Sequence, residues 1–143
     1  MIDYTMLWKA EIHVDQLQAH VANTMLETIG FEFISCTEDS IVARIPVDHR
    51  TVQPYGILHG GASATLAETL GSIASQYAVE KPAEQKVVGI ELNINHIRQV
   101  TKGWVTGTVT PIHIGRRMHV WDIRNVDDDG KLVSVARLTT MVL

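Results

Sequence analysis

Cys36 is the only cysteine among the 143 residues, which excludes an intrachain disulfide and points to a reducing compartment. The seven histidines form no Cys/His cluster at metal-ligand spacing, so no metal is expected. No uninterrupted apolar run approaches membrane-spanning length, and Met1-Ile2-Asp3-Tyr4-Thr5-Met6 lacks the basic and then apolar segments of a signal peptide. There is no excess of positive charge either: 12 Lys and Arg stand against 16 Asp and Glu, a net charge of -4. Neither nucleic acid nor an anionic membrane is an expected partner, and any anionic ligand would need a local basic patch. The chain is therefore expected to be cytoplasmic. It shows no repeat, low-complexity tract or linker, and at 45% hydrophobic and 20% charged it reads as one domain over residues 1–143.

Charge is also missing locally, and there the sequence becomes informative. From Gly60 to Val79 the only charged residue is Glu68. Ala62, Ala64, Leu66, Ala67, Leu70, Ile73, Ala74, Tyr77 and Ala78 cover nearly every angle of a helix, whereas a surface helix keeps a polar face. A buried central helix is expected. A lone carboxylate there is costly unless it is paired, protonated or functional.

Around this helix the rest of the chain is mostly β-like. Short helices are expected at Val14 to His20 and from Asn23, as N-cap, to Gly30. Phe31 to Thr37 and Ile41 to Ile45 read as a hairpin around Glu38-Asp39-Ser40, stopped by Pro46. After Lys81-Pro82-Ala83-Glu84, the alternation of Val88, Ile90, Leu92 and Ile94 with polar residues predicts a strand with one buried face. Trp104 to Ile112, Met118 to Val126 and Lys131 to Val142 follow, with turns at His113-Ile114-Gly115 and Asp127-Asp128-Asp129-Gly130. One inserted helix cannot supply the crossovers of a parallel sheet. The expected fold class is α+β, a curved antiparallel sheet wrapped around one long helix.

Gly60 and Gly61 open that helix, so their N–H groups lack intrahelical partners and lie at the positive end of the dipole. A carbonyl oxygen gaining charge would be stabilised there, or the pair is a plain loop-to-helix turn. Glu68 follows eight residues later, roughly 12 Å along the helix. One carbonyl cannot touch both, so joint action requires Glu68 from a second, antiparallel helix and hence a two-fold dimer. Ser72 lies one turn beyond Glu68 and can hydrogen-bond beside it, or simply pack. His59 and Gln53 flank the glycines and could orient a carbonyl or a water. Ser63 lacks the second glycine of a nucleophile elbow and reads as packing. His113, Gly115, Arg116 and Arg117 offer two adjacent guanidinium groups suited to phosphate oxygens, or a solvated basic turn.

The segments Leu7-Trp8-Lys9, Pro46-Val47-Asp48-His49-Arg50-Thr51, Gln53-Pro54-Tyr55-Gly56, Leu58-His59-Gly60-Gly61-Ala62-Ser63, Leu66-Ala67-Glu68-Thr69, Val87-Val88-Gly89, Asn95-His96 and Arg137-Leu138-Thr139-Thr140 run nearly end to end. In them the chain resembles the hotdog-fold acyl-CoA thioesterases, in the small bacterial branch of 1,4-dihydroxy-2-naphthoyl-CoA and enterobactin-proofreading thioesterases. The resemblance implies Glu68 as catalytic carboxylate, Gly60 as oxyanion-hole glycine with Gln53 and His59 beside it, and Ser72 as a polar neighbour. It implies acyl and coenzyme A contacts from Gly89, His96, Ile97, Arg98 and Gln99, and from His113, Ile114, Gly115, Arg116, Arg117 and Met118. Arg116 stands where relatives often have Ser. Met6 matches the usual start, and a tetramer of two dimers is implied.

The expected activity is thioester hydrolysis of an acyl-CoA, aromatic in the resembling branch, or of an acyl or aryl carrier protein, with no cofactor beyond the coenzyme A of the substrate. A hydratase would call for a His/Asp pairing that is not evident beside Glu68. A non-catalytic acyl-CoA-binding protein would use the same pocket without turnover.

Overall fold

The computed structural model describes residues 7–143, and the reading of Met6 as the start lies outside the described residues. Two short helices, α1 (Val14–Ala19) and α2 (Met25–Thr28), lead into strands β1 (Glu32–Cys36) and β2 (Ile41–Pro46). The long helix α3 (Gly60–Ala78) is followed by β3 (Val87–His96), β4 (Trp104–Ile114), β5 (Met118–Val126) and β6 (Leu132–Val142). All strand pairs are antiparallel, and the strands form one sheet in the order β1-β2-β4-β5-β6-β3. This is the hotdog arrangement, with α3 packed against β2 to β6.

Several boundaries differ from those expected. The cap of α2 is Thr24, whose hydroxyl accepts from the Leu26 N–H. Asn23 takes φ 60 instead, a conformation in which its N–H reaches the Glu27 carboxylate at 2.7 Å. β4 runs through His113 and Ile114, because a bulge after Pro111 lets the ladder with β5 resume, and the turn begins at Gly115. β3 does not pair with its sequence neighbour β4. It crosses over residues 97–103 to the sheet edge and pairs with β6. A register shift between Gly89 and Glu91 interrupts the expected alternation, leaving Val88 and Ile90 exposed while Leu92 and Ile94 pack against the core.

Helix α3 is buried on one face rather than all round. Leu66, Ala67, Leu70, Gly71, Ala74, Ser75 and Ala78 face the sheet at the spacing of a single helical stripe. Ala64, Thr65, Glu68, Ser72, Ile73 and Gln76, on the opposite side, are half-buried. A face whose only charge is Glu68 and that the protomer's own sheet does not cover is the kind a second helix would cover.

The core beneath α3 is built from Leu66, Leu70, Trp121, Ile123 and Leu138, each 0% exposed. Leu138 lies against Gly71, where an added β-carbon would come within 3.2 Å of the leucine Cβ. Leu138→Ala is expected to cost about 2–5 kcal/mol in denaturant unfolding, the range for opening a cavity in a close-packed core.

Candidate active site

The loop ahead of α3 is held at both ends before the helix starts. The Thr51 hydroxyl donates to the Pro46 carbonyl at 2.6 Å, and the His59 and Leu58 N–H groups donate to the Thr51 and Val100 carbonyls, each at 2.8 Å. The Arg50 guanidinium sits 2.7 Å from the Asp48 carboxylate and holds its pKa down to about 2. Within the turn, the Gly56 N–H donates to the Gln53 carbonyl, and Gln53 Oε1 accepts from the Tyr55 N–H. The Gln53 amide is thereby oriented with its NH2 group left free to donate.

His59 is the N-cap of α3: its Nδ1 accepts from the Gly61 N–H at 2.7 Å. The Gly60 N–H has no partner among the described residues. Gly60 lines a cavity of about 410 Å³ together with Gln53, Ile57, Leu58, Ser63, His96, Ile97, Arg98, Gln99 and Val133. A β-carbon on Gly60 would lie 2.9 Å from His96 Nε2, so the imidazole rests against the glycine backbone. Gln53, Gly60, His96, Ile97, Arg98 and Gln99, separate in sequence, thus share one cavity. His59 lines a different one of about 220 Å³ with Arg50, Gly61 and Thr65.

Glu68 is not in the Gly60 cavity. Burial alone pushes its carboxyl pKa up from 4.5, and no partner in the described chain offsets this. Its carboxylate instead lies over Gly89 of β3, in the space that a side chain there would fill. Ser72 is half-buried one turn further on. The turn from Gly115 to Arg117 lies elsewhere again, at the other end of α3, where Ala78, Val79, Ile114, Gly115, Arg116 and His119 line a cavity of about 320 Å³. Over the 19 residues from Gly60 to Ala78 the two ends are roughly 27 Å apart.

Ile57, Leu58 and Val133 were not identified from the sequence. The first two could have been suspected between Gln53 and Gly60, whereas Val133 reaches the cavity only because β6 pairs with β3. Ser63, read as packing, is 2% exposed yet lines the cavity wall. Among the described residues no group of three or more His, Cys, Asp or Glu could hold a metal ion, and no helix is long and apolar enough to cross a membrane.

The model of the thioesterase superfamily matches residues 55–134, from just after Gln53 to the third residue of β6. The chain belongs to the thioesterase superfamily. Within that superfamily it is 44% identical over 138 residues to the 1,4-dihydroxy-2-naphthoyl-CoA hydrolase of Escherichia coli strain K12, covering 96% of this chain and all of that protein. The crystal structure of a thioesterase from Haemophilus influenzae superposes with a TM-score of 0.92 at 43% identity, covering 96% of this chain and 94% of that one. A mutant thioesterase from Pseudomonas aeruginosa gives 0.93 at 44% identity, covering 96% and 98%. The superfamily assignment makes this chain a thioester hydrolase with the hotdog fold.

Gly89→Ala tests the seat of Glu68 in this thioesterase. The added methyl collides with the carboxylate, and under the Glu68 mechanism proposed below its displacement by about 1 Å can cost on the order of a hundredfold. Hydrolysis is expected to fall by roughly ten- to a hundredfold while the unfolding midpoint moves only a few degrees.

Proposed function

We propose that the protein hydrolyses an aromatic acyl-CoA thioester, with 1,4-dihydroxy-2-naphthoyl-CoA the first candidate, using Glu68 as nucleophile or general base. The observation that carries this reading is a half-buried carboxylate seated over Gly89, on a helix whose first N–H, like that carboxylate, has no partner among the described residues. The 44% identity to a naphthoyl-CoA hydrolase over nearly the whole chain supports the choice of substrate.

In this mechanism the Gly60 N–H and the Gln53 amide donate to the thioester oxygen, which gains negative charge as the carbonyl becomes tetrahedral. Glu68 attacks the carbonyl carbon, or takes a proton from a water that attacks it. The C–S bond then breaks and coenzyme A leaves as the thiol once its sulfur is protonated; where Glu68 is the nucleophile, water then hydrolyses the acyl-Glu68 anhydride to the free acid and restores the carboxylate. Because Gly60 and Glu68 are roughly 12 Å apart on one helix, the reading requires two α3 helices side by side and antiparallel. That pairing uses the outer face of α3, whose only charge is Glu68, and the exposed edge of β3 lies beside it. It also carries the Arg116-Arg117 turn of one protomer toward the Gly60, His96 and Arg98 end of its partner, where basic groups would meet the phosphates of coenzyme A. No cofactor enters beyond the coenzyme A of the substrate. Two such dimers would make the expected tetramer.

Initial rates across aroyl-CoA, aliphatic acyl-CoA and aryl carrier-protein thioesters test this directly. Aromatic CoA esters are expected to lead, and Glu68→Gln to lower kcat by about 10²–10⁴-fold. Uniform rates across the panel, or undiminished turnover in Glu68→Gln, would overturn it. The carboxylate must be ionised to act, so activity should be lost as pH falls through a pKa above 4.5, the direction set by burial.

Co-expression tests the shared site. Gly60→Ala and Glu68→Gln are each expected to be inactive alone, while a mixture of the two chains should regain about a quarter of the activity, because each mixed dimer contains one intact site. No recovery would mean that each protomer works by itself.

A further inference from the structure

Two buried serines lie on the stripe of α3 that faces the sheet, and their hydroxyls meet different surroundings. Ser75 Oγ accepts from Trp121 Nε1 at 2.6 Å and lies 2.5 Å from Thr140 Oγ1 and 3.1 Å from His119 Nδ1. Ser63 is 2% exposed, and its hydroxyl has no partner among the described residues. Nor does it turn back onto the helix, as the Thr65 hydroxyl does in donating to the Gly61 carbonyl at 2.9 Å. It is not sealed in the core either: among the described residues the one sealed side-chain polar atom without a partner is Asn125 Oδ1. Of the cavities described above Ser63 lines the Gly60 one alone, so that is where its unsealed hydroxyl meets open space.

That cavity has a direction. Residues 96–99, at its mouth, are exposed, whereas Leu58, Ser63 and Val133 are buried and form its floor. The floor is apolar apart from the one hydroxyl. Ser63 is fixed there from below, because Asn125 of β5 donates from Nδ2 to the Ser63 carbonyl at 3.4 Å and to Ser134 Oγ at 2.9 Å. Alanine fills the same stripe at Ala67, Ala74 and Ala78, and burying a hydroxyl without a partner is costly. A ligand that brings the missing partner accounts for serine at this position.

The surroundings specify that partner. A flat ring on the floor would pack against Leu58 and Val133. Gly60 lies three residues before Ser63, roughly 4.5 Å along the axis, and helical side chains lean toward the N-terminus. With the thioester oxygen at the Gly60 N–H, Ser63 is within reach of a substituent on the ring carbon next to the one bearing the carbonyl. The Gly60 N–H and the free NH2 group of Gln53 only donate, whereas a serine hydroxyl also accepts. A phenolic hydroxyl at that place finds its acceptor in Ser63. The first candidate substrate, 1,4-dihydroxy-2-naphthoyl-CoA, carries a hydroxyl there.

We propose that Ser63 is a specificity-determining residue whose hydroxyl accepts from, and so selects, a ring hydroxyl next to the thioester carbonyl of an aroyl-CoA. This rests on the reading given above of an aromatic substrate with its thioester oxygen at Gly60.

The test measures kcat/KM for benzoyl-CoA, ortho-hydroxybenzoyl-CoA and para-hydroxybenzoyl-CoA in the unmutated protein and in Ser63→Ala. Comparing two proteins on the same esters cancels differences in intrinsic reactivity. Ser63→Ala is expected to lower kcat/KM for the ortho ester about tenfold more than for benzoyl-CoA, the worth of one hydrogen bond. The para ester, whose hydroxyl lies across the ring, should follow benzoyl-CoA within about twofold. Equal losses on all three esters, or none, would make Ser63 a packing residue and overturn the proposal. So would a loss on the para ester as large as on the ortho ester. The unfolding midpoint without substrate is a second readout: Ser63→Ala should leave it unchanged or raise it, because no partner is lost. A fall of several degrees would assign the hydroxyl to a structural water and also overturn the proposal. If no aroyl ester outruns an aliphatic acyl-CoA in the unmutated protein, the aromatic reading itself fails and takes the proposal with it. If aroyl esters lead and Ser63→Ala leaves the ortho preference intact, only the proposal fails.

Discussion

The close approach of α3 to the sheet is the constraint from which most of this structure follows. At Gly71 a β-carbon would press on Leu138, and at Gly107 it would lie 2.9 Å from Leu70 Cδ1 and 3.1 Å from Leu66 Cγ. Small residues at these crossings let helix and sheet come together at core packing density. At Gly89 the same closeness has a chemical result, because the space left by the missing side chain holds the Glu68 carboxylate. The packing that stabilises the fold therefore also aims the only charge of α3.

The two ends of α3 have opposite electrostatic character. Its N-terminus offers the free Gly60 N–H and the positive end of the dipole, suited to a developing oxyanion. At its C-terminus Arg116, a favourable cation beside the negative end, lines a cavity together with Glu80. Within one protomer these features are too far apart to meet on one thioester. In the proposed antiparallel pair the C-terminal end of one α3 lies toward the N-terminal end of the other, which is why the proposed chemistry and the proposed dimer stand or fall together.

Where the sequence could be read, the reason was periodicity or a local scarcity. The β1–β2 hairpin, the Asp127–Gly130 turn and the length of α3 follow from alternation, turn residues and an unbroken helical run, all of which act over a few residues. Glu68 stood out because it is the one charge in that run. The edge position of β3 could not be read in this way. Sequence neighbours usually pair, and only the crossover of residues 97–103 and the ladder with β6 place β3 elsewhere. His119 and Ser75 were invisible for a related reason, since a histidine and a serine 44 residues apart carry no local signal that they touch.

By itself, the sequence determined the fold class, the central helix with its single carboxylate, and the glycines that open that helix, because each depends on interactions within one turn or one hairpin. Only the tertiary structure decided which of those residues share a cavity. Gln53, Gly60, His96 and Arg98 meet because the loop before α3 and the end of β3 converge on one end of the helix. Glu68 and the basic turn are held apart from them because an α-helix is rigid and rises a constant distance per residue.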